Sequence, residues 1–213
     1  MTVRDERLWQ ILEPSSTAVL TMELQNGVVG EGALMRALVD EVQRAGTLGM
    51  VRILCDAARA AGSRVVHCTA VSRPDGAGST TNCKIFALSA RQRREHGHGA
   101  TDLGTPGAEL IDGLEDPRDI VVSRLHGMTP FTSTSLDQIL RNLGVRTVVA
   151  TGVSVNLGVF GMALTALDLG YQVVIPTDAV AGVPREYADA VLEHSLSLIA
   201  TLTTTDELLA LWS

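Results

Sequence analysis

Polar and charged residues follow directly on short apolar runs, and their types define the chemistry open to this chain. Glu23, Gln25 and Asn26 close the run TAVLTM, and His67 and Cys68 lie within RVVHCTA. Arg124 and His126 follow DIVVS, RTVVAT leads into Gly152-Val-Ser-Val-Asn156, and Asp178 follows QVVIP. A carboxylate leaving an apolar segment is partly desolvated, which suits Glu23 to proton transfer. A guanidinium stays charged at any working pH, so Arg124 binds an anion or pairs with Glu23 but carries no proton. The two roles oppose each other: a neighbouring Arg favours ionised Glu23, and burial favours its neutral form. A plain structural ion pair is the other reading of the same two residues.

The elements that must position these groups alternate in type. Strands are expected at Thr17–Glu23, Arg64–Ala70, Asp119–Ser123, Arg146–Gly152 and Gln172–Pro176. Helices are expected at Met50–Ala61, Ser135–Leu143, Val155–Leu169 and Pro184–Ala200. Short β-branched strands between helices are the sequence sign of right-handed βαβ units and a parallel sheet. Such sheets bind ligands at the carboxyl ends of their strands, where the candidate residues stand. The 155–169 helix is apolar on every side and is expected to be buried all round. Between Ser72 and Thr105 periodicity fails, and the segment reads as an irregular lid or subunit contact within a single domain spanning residues 1–213.

Composition narrows the classes. The chain has 213 residues, 46% hydrophobic and only 3% aromatic, so one aliphatic core is expected. A formal charge of −7 argues against nucleic-acid partners, which need a basic footprint. No apolar run reaches the roughly 18–20 residues of a spanning helix, and the first ten residues are polar and charged, so a cytoplasmic protein without membrane contact is expected. Three cysteines without metal-ligand spacing fit reduced thiols. Sixteen arginines accompany a single lysine, Lys84, which stands far from any strand end.

Rival sites are poorer. Ser154, Asp178 and His194 follow in the serine, acid, histidine order of α/β-hydrolases, but the second glycine of the nucleophile elbow is Asn156 and His194 points off the apolar face of its helix. Cys68 beside His67 is a thiol candidate, although a free cysteine is more often a small buried hydrophobe. His96 and His98 form a pair with no further ligand. Arg91, Arg93 and Arg94 either reach an anionic substrate or coat the surface.

Four blocks, TAVLTMELQNGVVG, GTPGAELIDGL, TPFTSTSLDQILRNLGVRTVVATGVSVN and DLGYQVVIPTDAVAG, resemble the isochorismatase-like (cysteine hydrolase) superfamily over nearly the whole chain. The resemblance implies a three-layer α/β/α domain with a six-stranded, mostly parallel sheet, a small-molecule substrate and assembly as a dimer or tetramer. It further implies an Asp–Lys–Cys triad and a cis peptide before the nucleophile loop. Carried over, the aspartate falls on Glu23, the lysine on Arg124, the cysteine on Gly158 and the cis bond between Val153 and Ser154. All three triad positions depart from the family pattern, and the stretch from Arg124 to Phe131 is one residue longer than usual. The metal site of nicotinamidases has no counterpart after His67, so neither metal nor cofactor is expected.

Without a thiolate at position 158 a thioester route there is excluded. Within the family, isochorismatases proper dispense with the cysteine and cleave a vinyl ether through a carboxylic acid. The resemblance therefore implies cysteine-independent acid/base hydrolysis of a small, anionic metabolite at a vinyl ether, amide or ester-type bond. Glu23 serves as acid/base and Arg124 as anion anchor, while Val153, Ser154, Gln25 and His126 form the substrate and oxyanion surroundings. A catalytically inactive homologue that binds a small molecule or protein in the same cleft is the alternative. Gly158 and Gly161 also read simply as points of close backbone approach.

Overall fold

The computed structural model describes Leu8 and residues 10–212; most of the polar N-terminal stretch lies outside the described residues. Its centre is a parallel sheet. In chain order the strands are β1 (Thr17–Met22), β2 (Arg64–Ala70), β3 (Ile120–Arg124), β4 (Thr147–Val153), β5 (Gln172–Pro176), β6 (Val180–Ala181) and β7 (Thr201–Thr203). Six of them run in the order β3-β2-β1-β4-β5-β7, and the two-residue β6 pairs with the end of β4. Every pairing is parallel. The expected six-stranded sheet is therefore present, with β6 added. All six residues of β1 and all seven of β4 are buried, as central strands covered on both faces must be.

Helices cover both faces. The first set is α1 (Asn26–Val29), α2 (Arg36–Ala45), α3 (Thr47–Ala61) and α4 (Lys84–His96). The second is α5 (Leu136–Asn142), α6 (Phe160–Asp168), α7 (Arg185–Val191), α8 (Ser197–Ile199) and α9 (Thr205–Trp212). In α3, Val51, Leu54, Cys55 and Ala58 are buried at helical spacing, and Gly62 ends the helix in the left-handed conformation. That face packs with Leu38, Val42 and Leu208 over one side of the sheet. Leu136, Leu140, Met162, Ala163, Ala166, Val191 and Leu196 cover the other.

Two expectations need correction. The 72–105 excursion is not irregular throughout, because α4 occupies Lys84–His96. It buries no residue, so it leaves no apolar period to read. It is held by the Arg91–Glu95 pair one turn apart and by Arg93, which grips buried Asp102. The 155–169 helix is also not buried all round. It opens with a π turn over Val155–Val159, and Leu157, Leu164 and Leu167 are each 40–42% exposed.

Among the described residues no helix is long and apolar enough to cross a membrane.

Candidate active site

β1 has β2 on one side and β4 on the other, so the chain order reverses across the β1/β4 boundary. This is the switch point where an open parallel sheet leaves a crevice. The register aligns Met22 with both Cys68 and Gly152, which brings the ends of three strands level. Gly152 is required there: its φ is +95°, and a Cβ would lie 2.4 Å from the Met22 carbonyl oxygen.

Glu23 is the first residue past β1. Its backbone is left-handed (φ +53°), an uncommon state for a non-glycine residue, and its amide donates to the Cys68 carbonyl at 2.9 Å. The turn aims its side chain at Arg124, the last residue of β3. One guanidinium nitrogen, Nη2, holds Glu23 Oε1, while Nε donates to the Gly127 carbonyl at 3.0 Å. The pair is asymmetric, since the Arg124 side chain is 3% exposed and that of Glu23 21%. Burial pulls the guanidinium down to about 10, so it remains charged at neutral pH. Its third nitrogen, Nη1, is buried and has no hydrogen-bond partner.

The other expected site residues are distributed unevenly. The Val153–Ser154 peptide is cis, as the resemblance implied, and leads into the π turn. The Ser154 hydroxyl donates to the Asn156 side-chain oxygen, and Val159 donates to the Ser154 carbonyl at 3.0 Å. Gly158 is buried in this turn, where a Cβ would meet Met22 Cε at 2.8 Å. His126 is exposed two residues past Arg124. Gln25 is fully buried and its amide is spent on backbone. It donates to the carbonyls of Ala70 (3.0 Å) and Ala108 (2.9 Å), and its oxygen accepts from the Ala70 amide at 2.8 Å. It therefore clips the loop before β3 to the end of β2 and has no amide hydrogen left for a ligand. Nothing in a one-letter code distinguishes such a clip from a ligand contact at the same strand end.

The rival sites do not assemble. Cys68 is buried and its thiol is pushed up to about 12, which leaves it no thiolate at neutral pH. Asp178 accepts from the amide and hydroxyl of Thr205 and so starts α9, while the His194 side chain is 70% exposed. His67 points to the opposite face of the sheet from Cys68. There Nδ1 meets the Thr21 hydroxyl at 2.7 Å, and Nε2 meets Asp119, itself gripped by Arg59. That buried chain is structural. Of the three arginines on α4, Arg91 and Arg93 are taken by Glu95 and Asp102. Among the described residues, no group of three or more His, Cys, Asp or Glu converges as a metal ion would require.

The fold defines a three-layer α/β/α protein, with the candidate residues Glu23, Arg124 and Ser154 standing where β1, β3 and β4 end. Residues 17–207 match the Isochorismatase domain, and the chain belongs to the isochorismatase family of hydrolases. It is 32% identical to the ureidoacrylate amidohydrolase RutB of Rhizobium rhizogenes over 176 residues, covering 79% of this chain and 71% of that one. Among solved structures it resembles an isochorismatase family protein from Desulfovibrio vulgaris, with a TM-score of 0.78 and 27% identity over 92% of this chain and 98% of that one. An N-carbamoylsarcosine amidase from Thermoplasma acidophilum shares the fold, with a TM-score of 0.69 and 23% identity over 90% of this chain and 97% of the other.

Proposed function

We propose that this crevice hydrolyses a small anionic metabolite, at an amide or related bond, without a covalent enzyme intermediate. The observation that carries the reading is the unpartnered Nη1 of Arg124 beside Glu23. A buried guanidinium nitrogen without an acceptor costs about 1–3 kcal/mol, and a substrate carboxylate supplies the missing acceptor once the groups covering it move aside. Arg124 then has two duties: Nη1 anchors the anion, and Nη2 keeps Glu23 ionised. An ionised Glu23 acts first as a base. It takes a proton from water as that water adds to the carbonyl, then returns the proton to the departing amine, so that one amide and one water yield one acid and one amine. The amides opening the Val155 turn stabilise the oxyanion of the addition step, in line with the general behaviour of helix starts. Gly158 stands at the position where the family pattern has its cysteine, which is why the route bypasses a thioester. The relatives named for ureidoacrylate and N-carbamoylsarcosine support amide chemistry. Exposed Leu157, Leu164 and Leu167 support a homo-oligomer.

The second reading is a ligand-binding homologue without turnover, favoured by the absence of any side chain at Gly158. One panel separates the two. Ureidoacrylate, isochorismate and N-carbamoyl amino acids are each offered beside an analogue lacking the carboxylate charge, and ammonia or pyruvate release is followed. The proposal expects turnover of a charged member, with KM raised roughly 10- to 100-fold by Arg124→Met for the charged compound alone. Equal KM values for charged and uncharged compounds overturn the Arg124 assignment. Binding without turnover across the panel favours the second reading.

A further inference from the structure

Gly158 is surrounded in a way that involves one further residue. A Cβ built on it would lie 2.8 Å from Met22 Cε, 3.2 Å from Met22 Cγ and 3.0 Å from the Val153 carbonyl oxygen. The carbonyl belongs to the end of β4 and cannot yield. The thioether of Met22 is unbranched and flexible, so it is the part able to move. It has little room, because Met22 is fully buried in one apolar cluster with Phe131, Val155, Val159 and Met162. Met22 also immediately precedes Glu23 on the chain. The volume into which a side chain at 158 would grow is therefore already filled, next to the acid of the crevice, by the last residue of β1.

We propose that Met22 acts as a plug for the volume facing position 158, excluding any side chain there. While the plug is in place, the turn after β4 presents backbone and no reactive side chain at 158. Shortening Met22 opens that space to a thiol at 158. The inference concerns the site of the proposed reaction but rests on packing alone, so its test needs no substrate.

The test is alkylation of an introduced thiol. In a Cys83→Ser background the remaining native thiols, Cys55 and Cys68, are buried and pushed up to about 12, so they stay silent. Gly158→Cys is compared with Met22→Ala and Met22→Val, each alone and combined with Gly158→Cys, using iodoacetamide and thermal melting. The expected result is alkylation about tenfold faster or more in a double variant than in the single one, with the double melting no lower than its Met22 parent, as for side chains in direct conflict. The Val variant serves if the Ala variant does not fold. Equal alkylation rates in single and double variants overturn the proposal, as does a double variant whose loss in melting temperature is the sum of the two single losses. An inactive wild type would sink the hydrolytic reading and leave this result standing; equal alkylation would do the reverse.

Discussion

Exchanging one member of the Glu23–Arg124 pair at a time gives unequal costs, and the structure says which is the larger. Arg124 is the buried partner at 3% exposure, whereas Glu23 retains 21%. Glu23→Gln leaves a buried cation with only a neutral oxygen opposite. Breaking a buried pair costs about 3–5 kcal/mol, and the surviving hydrogen bond and the exposure of Glu23 reduce this to about 2 kcal/mol. For a chain of this length that corresponds to a fall of roughly 4–8 °C in melting temperature. Arg124→Met removes the buried charge together with its unpartnered Nη1, a relief of about 1–3 kcal/mol that offsets the lost pair. Glu23 then turns to water, and the net change stays within about 1 kcal/mol. Combining both substitutions recovers most of the loss of Glu23→Gln alone. Calorimetry of the four proteins at pH 7 reads the whole cycle. An unchanged melting temperature for Glu23→Gln, or a large fall for Arg124→Met, refutes the assignment of Arg124 as the uncompensated partner.

Burial holds the His67 imidazole below its ordinary value, outweighing the opposing effect of Asp119. The folded state therefore binds fewer protons than the unfolded one, and stability present above about pH 6.5 falls as pH drops through that value towards the folded pKa. Melting temperature should decline between pH 7 and 5, and His67→Asn should flatten that slope; a slope equal to wild type contradicts the argument. Gly152→Ala places a methyl 2.4 Å from the Met22 carbonyl at a left-handed φ, so a loss of about 3 kcal/mol or more is expected in denaturant unfolding, and a loss under about 1 kcal/mol would contradict it. Gln25→Ala breaks three backbone bonds, so stability should fall by about 2–4 kcal/mol and limited proteolysis should cut the 106–110 loop sooner; unchanged cleavage would show that the clip is not structural.

The parallel sheet is legible in the sequence because its strands announce themselves. β2 and β5 have the bounds expected of them, and β1 stops one residue short of the expected Glu23 because Glu23 leaves the strand in a left-handed turn. The strand-end rule also brings forward Glu23 and Arg124, which the structure joins as an ion pair. β7 is not legible, since three residues rich in threonine carry no strand period. Nor is α4, which buries no residue fully and reaches buried Asp102 through Arg93. Gln25 and Met22 show the deeper limit. One spends its amide hydrogens on backbone carbonyls of distant segments, and the other fills space beside a glycine 136 positions later. Residue type and spacing carry neither fact, because both depend on which segments meet.

The most direct measurement compares product release by Cys68→Ala and by Glu23→Gln, on whichever panel compound is turned over, well below either melting temperature. Thiol-free chemistry centred on Glu23 predicts that Cys68→Ala keeps its rate, while Glu23→Gln loses roughly 100-fold or more in kcat. Loss of turnover in Cys68→Ala, or full activity without the Glu23 carboxylate, would contradict the account.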